Sequence, residues 1–338
     1  MGFHPDIGDL LARGSAQGAL HEQAAAAASH KFARRVFVRG VVEVSNYCRE
    51  NCAYCGMRRD NRSLQRARAR HDEIAEQIIH HRPSVITDIN LQTGEDPVAA
   101  REVVLPLLLT LRRETDLGLS VCLGTLDTEV YAALKAAGAT VYILKFESAA
   151  AADYALWQAP GNLEERLRHI RHLAADGWNV SSGFIAGLPG QDAEQMLANC
   201  RLAASLPLDG CSVSPFVPGE ATPLAAAKAG GVDLTLNCMA ILRLMRPDWL
   251  IPAVSALNLA QAGAGCRRGL RAGANVLTIN LTPRALQRDY LLYKRERFIM
   301  DESRVQAVLA AEGLEPSRQS MSDYFEQNAA APAVACTA

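Results

Sequence analysis

The feature that most restricts the fold is an alternation that runs through most of the chain. Apolar, β-branched runs of strand length are each followed by a segment with helical spacing. The runs fall at 36–44, 85–91, 119–123, 140–146, 179–185, 210–214, 250–254 and 275–279, with helical segments at 72–81, 98–113, 128–137, 163–175, 193–205, 234–245 and 259–271. Ala137-Gly138-Ala139, Asp176-Gly177 and Ala272-Gly273-Ala274 sit where a helix must stop and a buried strand begin, and glycine supplies the left-handed stop. Strands apolar throughout and joined by helical crossovers form a parallel sheet covered on both faces. Eight units in series are the number that closes a barrel, whereas an open doubly wound sheet usually has fewer strands and a Gly-rich first turn. The expected fold is therefore α/β, a (β/α)8 barrel of the TIM type. An Ala-rich helical extension is expected over 1–33, the barrel over 34–316, and a helix end with a flexible tail over 317–338. The low-complexity run from Asn328 reads as disordered.

Composition narrows the partners. Nearly half of the 338 residues are apolar, and the formal net charge is −1 with no long run of one sign. The Arg-rich stretches, 58–70 and Arg267, Arg268 and Arg271, read as solvated faces or as positive charge beside a bound group, so no nucleic-acid partner is expected. No charged leader precedes an apolar core, and no window approaches the ~18 apolar residues of a membrane span. A cytoplasmic protein without a membrane partner is expected. Nine cysteines, an odd number, fit reduced thiols or metal ligands better than a disulfide framework.

A barrel makes a demand on function, because its chemistry belongs on loops at the C-terminal ends of strands. Directly after the first strand run stands Ser45-Asn46-Tyr47-Cys48-Arg49-Glu50-Asn51-Cys52-Ala53-Tyr54-Cys55-Gly56. Iron–sulfur clusters are normally held by four thiolates. Three on one loop, with no fourth nearby, hold a cluster and leave one iron open to a ligand. The competing reading is zinc, but its tetrahedron asks for a further Cys or His, and 56–70 contains neither.

The CxxxCxYC loop after the first strand resembles that of the radical S-adenosylmethionine superfamily. The resemblance implies that Cys48, Cys52 and Cys55 hold a 4Fe–4S cluster whose open iron binds S-adenosylmethionine. Cleavage of that cofactor then yields a 5′-deoxyadenosyl radical that abstracts hydrogen from a substrate. Further stretches resemble the superfamily's cofactor contacts: Tyr54 before the last cysteine, Gly94-Glu95 after the second strand, and Glu147-Ser148 at the end of the fourth. The fifth strand, from Ser181-Ser182-Gly183 to Gly187-Leu188-Pro189-Gly190-Gln191, looks like the adenine-binding stretch, with Ser182, Gly183 and Gly187 as contacts. A reductant such as flavodoxin or ferredoxin is implied as a partner.

Within the superfamily the chain is similar to the branch of biotin synthase, the iron-only hydrogenase cluster maturase and methylornithine synthase, over about 35–316. The stretches 42–48, 55–61, 215–218 and 222–224 look most like the maturase, and 241–245, 250–253 and 305–316 at least as much like methylornithine synthase. The departures matter more. Ser181 and Ala253 stand where biotin synthase has a cysteine and an arginine for its second cluster, leaving only Cys122 near that site. Ser212, Val254 and Ala256 stand where methylornithine synthase has its arginine and its Ser/Asp pair, and Lys145-Phe146-Glu147-Ser148 replaces the maturase's Arg-His-Glu-Thr. A relative with its own small substrate is expected, carboxylated and amino-acid-like, with Lys145 and Asp96 in the reaction. Arg59, Ser214, Ser255, Asn258, Asn280 and Tyr293 complete the expected cavity. The alternatives are a cluster maturase and a biotin-synthase-like sulfur-insertion enzyme.

Overall fold

Parallel strands curl around a central lumen and carry their helices on the outside. The computed structural model describes residues 3–261, 263–295 and 298–330. After the helix α1 (Gly14–Phe32), the repeating units are β1 (Arg35–Ser45), α2 (His71–His81), β2 (Asp88–Thr93), α3 (Leu105–Glu114), β3 (Gly118–Cys122), α4 (Thr128–Ala136) and β4 (Val141–Ile143). They continue with α5 (Leu163–Ala175), β5 (Asn179–Ala186), α6 (Ala193–Ser205), β6 (Gly210–Pro215), α7 (Val232–Met245), α8 (Gly265–Arg271) and β7 (Val276–Asn280), then α9 (Glu302–Glu312) and α10 (Met321–Ala330). The strand order is β6-β5-β4-β3-β2-β1-β7, with Glu315–Pro316 pairing the start of β1. No helix among the described residues is long and apolar enough to cross a membrane.

The expected run 250–254 is not a continuous strand. It closes the ring through two single bridges, Gly210 to Leu250 and Pro252 to Val276. Pro252 has no N–H to give, and the Ile251 N–H goes to the side chain of Asn275 at 2.8 Å, so the ladder cannot run on. The helix expected over 259–271 is likewise split into Ser255–Ala260 and α8, with Gly263 between them at φ +76°. The helix expected over 98–113 holds a π-type turn at Ala100–Val104 before α3. Pro106, at the start of α3, lacks the N–H that a regular turn would use.

Each strand turns alternate residues outward to the helices and inward to the lumen. On β1 the outward set is Val36, Val38, Val42 and Val44, all in the main core, while Arg39, Val41 and Glu43 line the lumen. At the strands' N-terminal end the lumen is closed by an apolar cluster of Phe37, Val141, Leu250 and Val276 with Met321 and Phe325 of α10. Where only a helix end was expected, α10 is therefore a floor. Its first turn is held by Asp88, whose two oxygens accept the Met321 N–H at 3.0 Å each. Ser322 and Thr140 share a hydroxyl hydrogen bond of 2.6 Å. Of the run expected to be a tail, 328–330 belong to α10, and 331–338, with Cys336, lie outside the described residues.

Candidate active site

The cysteine loop leaves the C-terminal end of β1 and is pinned on several sides. Arg66 donates to the backbone oxygens of Asn46, Met57 and Arg58, and Asn46 reaches the oxygens of Gln65 and Asp289. The turn after β2 lies directly against it. A Cβ on Gly94 would stand 2.2 Å from the Tyr47 oxygen and 2.8 Å from the Cys48 Cβ, so only glycine permits this approach. In return the Glu95 N–H donates to the Cys48 thiol at 3.3 Å.

Burial pushes all three thiols above their ordinary range, and for Cys52 the charges of Cys55 and Cys48 push further. The three are therefore close enough to oppose one another's ionisation, a set that a polynuclear cation would stabilise as thiolates. An all-thiolate set of three fits a four-iron cluster with one iron open. The Tyr54 hydroxyl is buried beside Cys52 but makes no hydrogen bond of good geometry.

Beneath the loop lies a cavity of about 300 Å³. Of the expected residues, Lys145, Glu147, Cys122, Ser214, Ser255, Asn280 and Tyr293 line it. Burial opposes the charge on Lys145, but Glu147, Tyr293 and Cys122 outweigh it and hold its pKa above the usual value. Burial raises the carboxyl of Glu147 against the pull of Lys145 and Arg166. Glu147 is held at φ +62°, a left-handed conformation that costs a non-glycine residue about 1–2 kcal/mol. Two backbone bonds to β5 keep it there, its N–H to the Gly183 oxygen and its own oxygen from Ile185, each 3.0 Å.

Asp96, Arg59 and Asn258 stand elsewhere than expected, and the remaining expected residues have their own partners in the fold. Asp96 does not face the cavity. It is buried, takes two bonds from Arg68 at 2.7 and 3.0 Å and one from Ser45 at 2.6 Å, and caps the turn at Ala99. Those donors hold its pKa below the usual range in spite of burial. Arg59 lies on the outer surface, paired with Asp60 at 3.2 Å. Asn258 is spent on Cys266. Ser182 points to the outer side of β5 and donates to the Leu144 oxygen at 2.7 Å, and Ser148 is buried against the start of the next helix. Gly183 packs against Ser212, and Gly187, at φ +79°, is held by the side-chain oxygen of Gln191 at 2.9 Å. Glu95 pairs with Arg166 at 2.5 Å and with Arg49 at 3.3 Å.

Three residues had not been singled out. Arg39 lines the lumen, its Nε bonded to Thr278 at 3.1 Å. Glu43, also in the lumen, accepts from Asn280 at 3.2 Å. Both interrupt an apolar run at positions an even number of residues apart, which places them on one face of the strand. Arg166, which binds Glu95 and the Lys145 oxygen, carries no such mark.

A parallel α/β barrel with a three-thiol loop at its mouth and a lumen below that carries charged side chains defines a cofactor-dependent barrel enzyme. The model of the radical SAM superfamily matches residues 42–203, and the chain belongs to that superfamily, whose members use an iron–sulfur cluster and S-adenosylmethionine. It is 34% identical over 258 residues to the [FeFe] hydrogenase maturase subunit HydE of Thermotoga maritima, covering 76% of this chain and 74% of that one. It is 28% identical over 296 residues to 3-methylornithine synthase of Methanosarcina acetivorans, covering 86% and 83%. The crystal structure of a methylornithine synthase superposes with a TM-score of 0.83 at 25% identity over 97% of both chains. Ser181, Ser212, Ala253, Val254 and Ala256 all line this lumen.

Proposed function

We propose that the chain cleaves S-adenosylmethionine reductively and abstracts hydrogen from a small carboxylated, amino-acid-like molecule, for rearrangement, fragmentation or sulfur chemistry. In this reading Cys48, Cys52 and Cys55 hold the cluster. When bound, the cluster and S-adenosylmethionine supply the carbon radical; the chain's own residues bind, orient and shield the substrate.

One observation carries the substrate class. Lys145 lines the lumen below the cysteine loop, and among the described residues nothing bonds to its ammonium group. Arg39, from the opposite side of the sequence, brings a second cation to the same space with only its Nε engaged. These cations share the lumen with the carboxylates of Glu43 and Glu147, so a ligand carrying both signs of charge, as an amino acid does, suits it. About 300 Å³ sits at the lower end of small-molecule sites. Glu147, beside Lys145, offers an acceptor for an ammonium group.

A second reading, a maturase building a metal centre for another protein, is supported by the 34% identity to HydE. The first experiment is anaerobic reconstitution with iron and sulfide, reduction, and addition of S-adenosylmethionine. Release of methionine and 5′-deoxyadenosine with about four irons per chain is expected, and amino acids should accelerate it. Zinc in place of iron would sink the reading, and acceleration only by metal-cluster precursors would favour the maturase.

A further inference from the structure

The side chains that face the lumen are sorted by where they stand around the ring. Strands β1 to β4 lie side by side, and charged groups gather on them: Arg39 and Glu43 on β1, Lys145 and Glu147 just past the end of β4. On the other flank of β1, β7 turns its polar residues to the same company. Thr278 accepts from Arg39 at 3.1 Å, and Asn280 donates to Glu43 at 3.2 Å. The opposite wall is apolar. Val254, Ala256 and Leu259 follow the segment that bridges β6 to β7, and Phe298, Ile299 and Met300 complete it. This second stretch is held at the end of β7, where the Asn280 N–H bonds to the Met300 oxygen at 3.2 Å. Three other charged residues border the lumen. Arg166 is paired with Glu95, Asp209 ahead of β6 accepts the Val180 N–H at 2.8 Å, and Lys294 is exposed. Between the two walls β5 and β6 turn only small residues inward, Ser181, Gly210, Ser212 and Ser214, so these strands put nothing bulky in the way.

We infer, on the amino-acid reading of this site, that the lumen selects an α-amino acid with an uncharged, apolar side chain. Both signs of charge stand on one wall, so the ligand has to carry its carboxylate and its ammonium together, as the head of an α-amino acid does. Poles at opposite ends of a chain would send one of them to Val254, Leu259 and Phe298. There a charge loses its water and gains no partner, which is costly. An apolar side chain meets the same wall by contact and by release of water. Selection is then built from rejection of the wrong ligand as much as from attraction of the right one.

Ligands of matched shape separate charge from size. Leucine, asparagine and aspartate branch at the same carbon, and norleucine is the carbon chain of lysine without its terminal ammonium group. Each L-amino acid is titrated by calorimetry into the reconstituted, unreduced protein with S-adenosylmethionine present, so that binding is read and nothing is cleaved. L-leucine should bind about tenfold or more tightly than L-asparagine or L-aspartate, and L-norleucine likewise against L-lysine. Leu259→Lys, which sets a cation on the apolar wall, should weaken L-leucine and strengthen L-aspartate while iron content is kept. Preference of the wild type for aspartate or lysine, or equal affinity for all five, would overturn the inference and leave the amino-acid reading standing. A Leu259→Lys protein that keeps both its iron and the wild-type order would overturn it too, because the wall would then not meet the side chain. Where that variant loses its iron, the wild-type titrations decide alone. Binding by none of the five would remove the amino-acid reading and the inference with it.

Discussion

Arg166 donates to the carboxylate of Glu95 at 2.5 Å and to the backbone oxygen of Lys145 at 2.8 Å, so one guanidinium ties the turn after β2 to the end of β4. Both ion-pair partners are buried, with side-chain exposures of 6% and 8%. Through Glu95 the tie reaches the cysteine loop, where Arg49 takes the other carboxylate oxygen.

Removing one partner of a buried pair strands the other, at a cost of about 3–5 kcal/mol. Arg166→Leu should lower unfolding stability by about 3 kcal/mol, the lower end, because Arg49 and Thr125 still hold Glu95. Urea melts of the cluster-free protein check this. A loss below about 1 kcal/mol would mean that Arg49 alone suffices.

Cys52→Ala should abolish retention of iron after reconstitution, whereas Cys122→Ala should keep about four irons per chain. Iron analysis with the absorbance near the thiolate charge-transfer bands reads both. A Cys52→Ala protein with full iron content would overturn the ligand assignment.

Lys145→Ala should reduce the acceleration of S-adenosylmethionine cleavage by candidate amino acids by tenfold or more, consistent with a lost charge-assisted contact of about 1.5–3 kcal/mol. Basal cleavage should change little. Equal loss of both would place Lys145 on the cofactor.

Asp88 lies under the lumen at 1% exposure, and burial raises its pKa to about 6 against the bonds from Met321 and Thr87 and the charge of Arg39. A carboxyl raised in the fold favours folding most below its ordinary pKa, near 4, and that advantage is lost as the pH climbs through about 6. Two units correspond to about 3 kcal/mol. Asp88→Asn keeps an acceptor for the Met321 N–H and removes the buried charge, so it should be more stable than wild type at pH 7.5 and no more stable at pH 4. Paired denaturation curves at the two pH values decide it, and an Asn variant weaker at both would show that the cap needs the second oxygen.

The barrel was legible because its units repeat a local pattern, with glycines such as Gly138 and Gly273, both at positive φ, marking each return to the sheet. The run at 250–254 misled because apolar content says nothing about whether Pro252 and the Asn275 side chain let a ladder form. The cysteine loop was legible because its donors are neighbours in sequence. Asp96 and Ser182 misled for a different reason: motif position does not report which way a side chain points. One residue of register separates Ser181, in the lumen, from Ser182, behind the strand. Arg166 stayed hidden because its partner is 71 residues away and nothing local requires it.

The floor formed by Met321 and Phe325 has a kinetic consequence. Among the described residues, a chamber shut at the bottom is left to open toward the ring of loops where the cysteines stand. A molecule that enters by that route has to do so before the mouth is filled, and leaves when it clears. Order of addition, and inhibition by an occupant of the mouth bound out of turn, are thus set by where the last helix of the chain is laid.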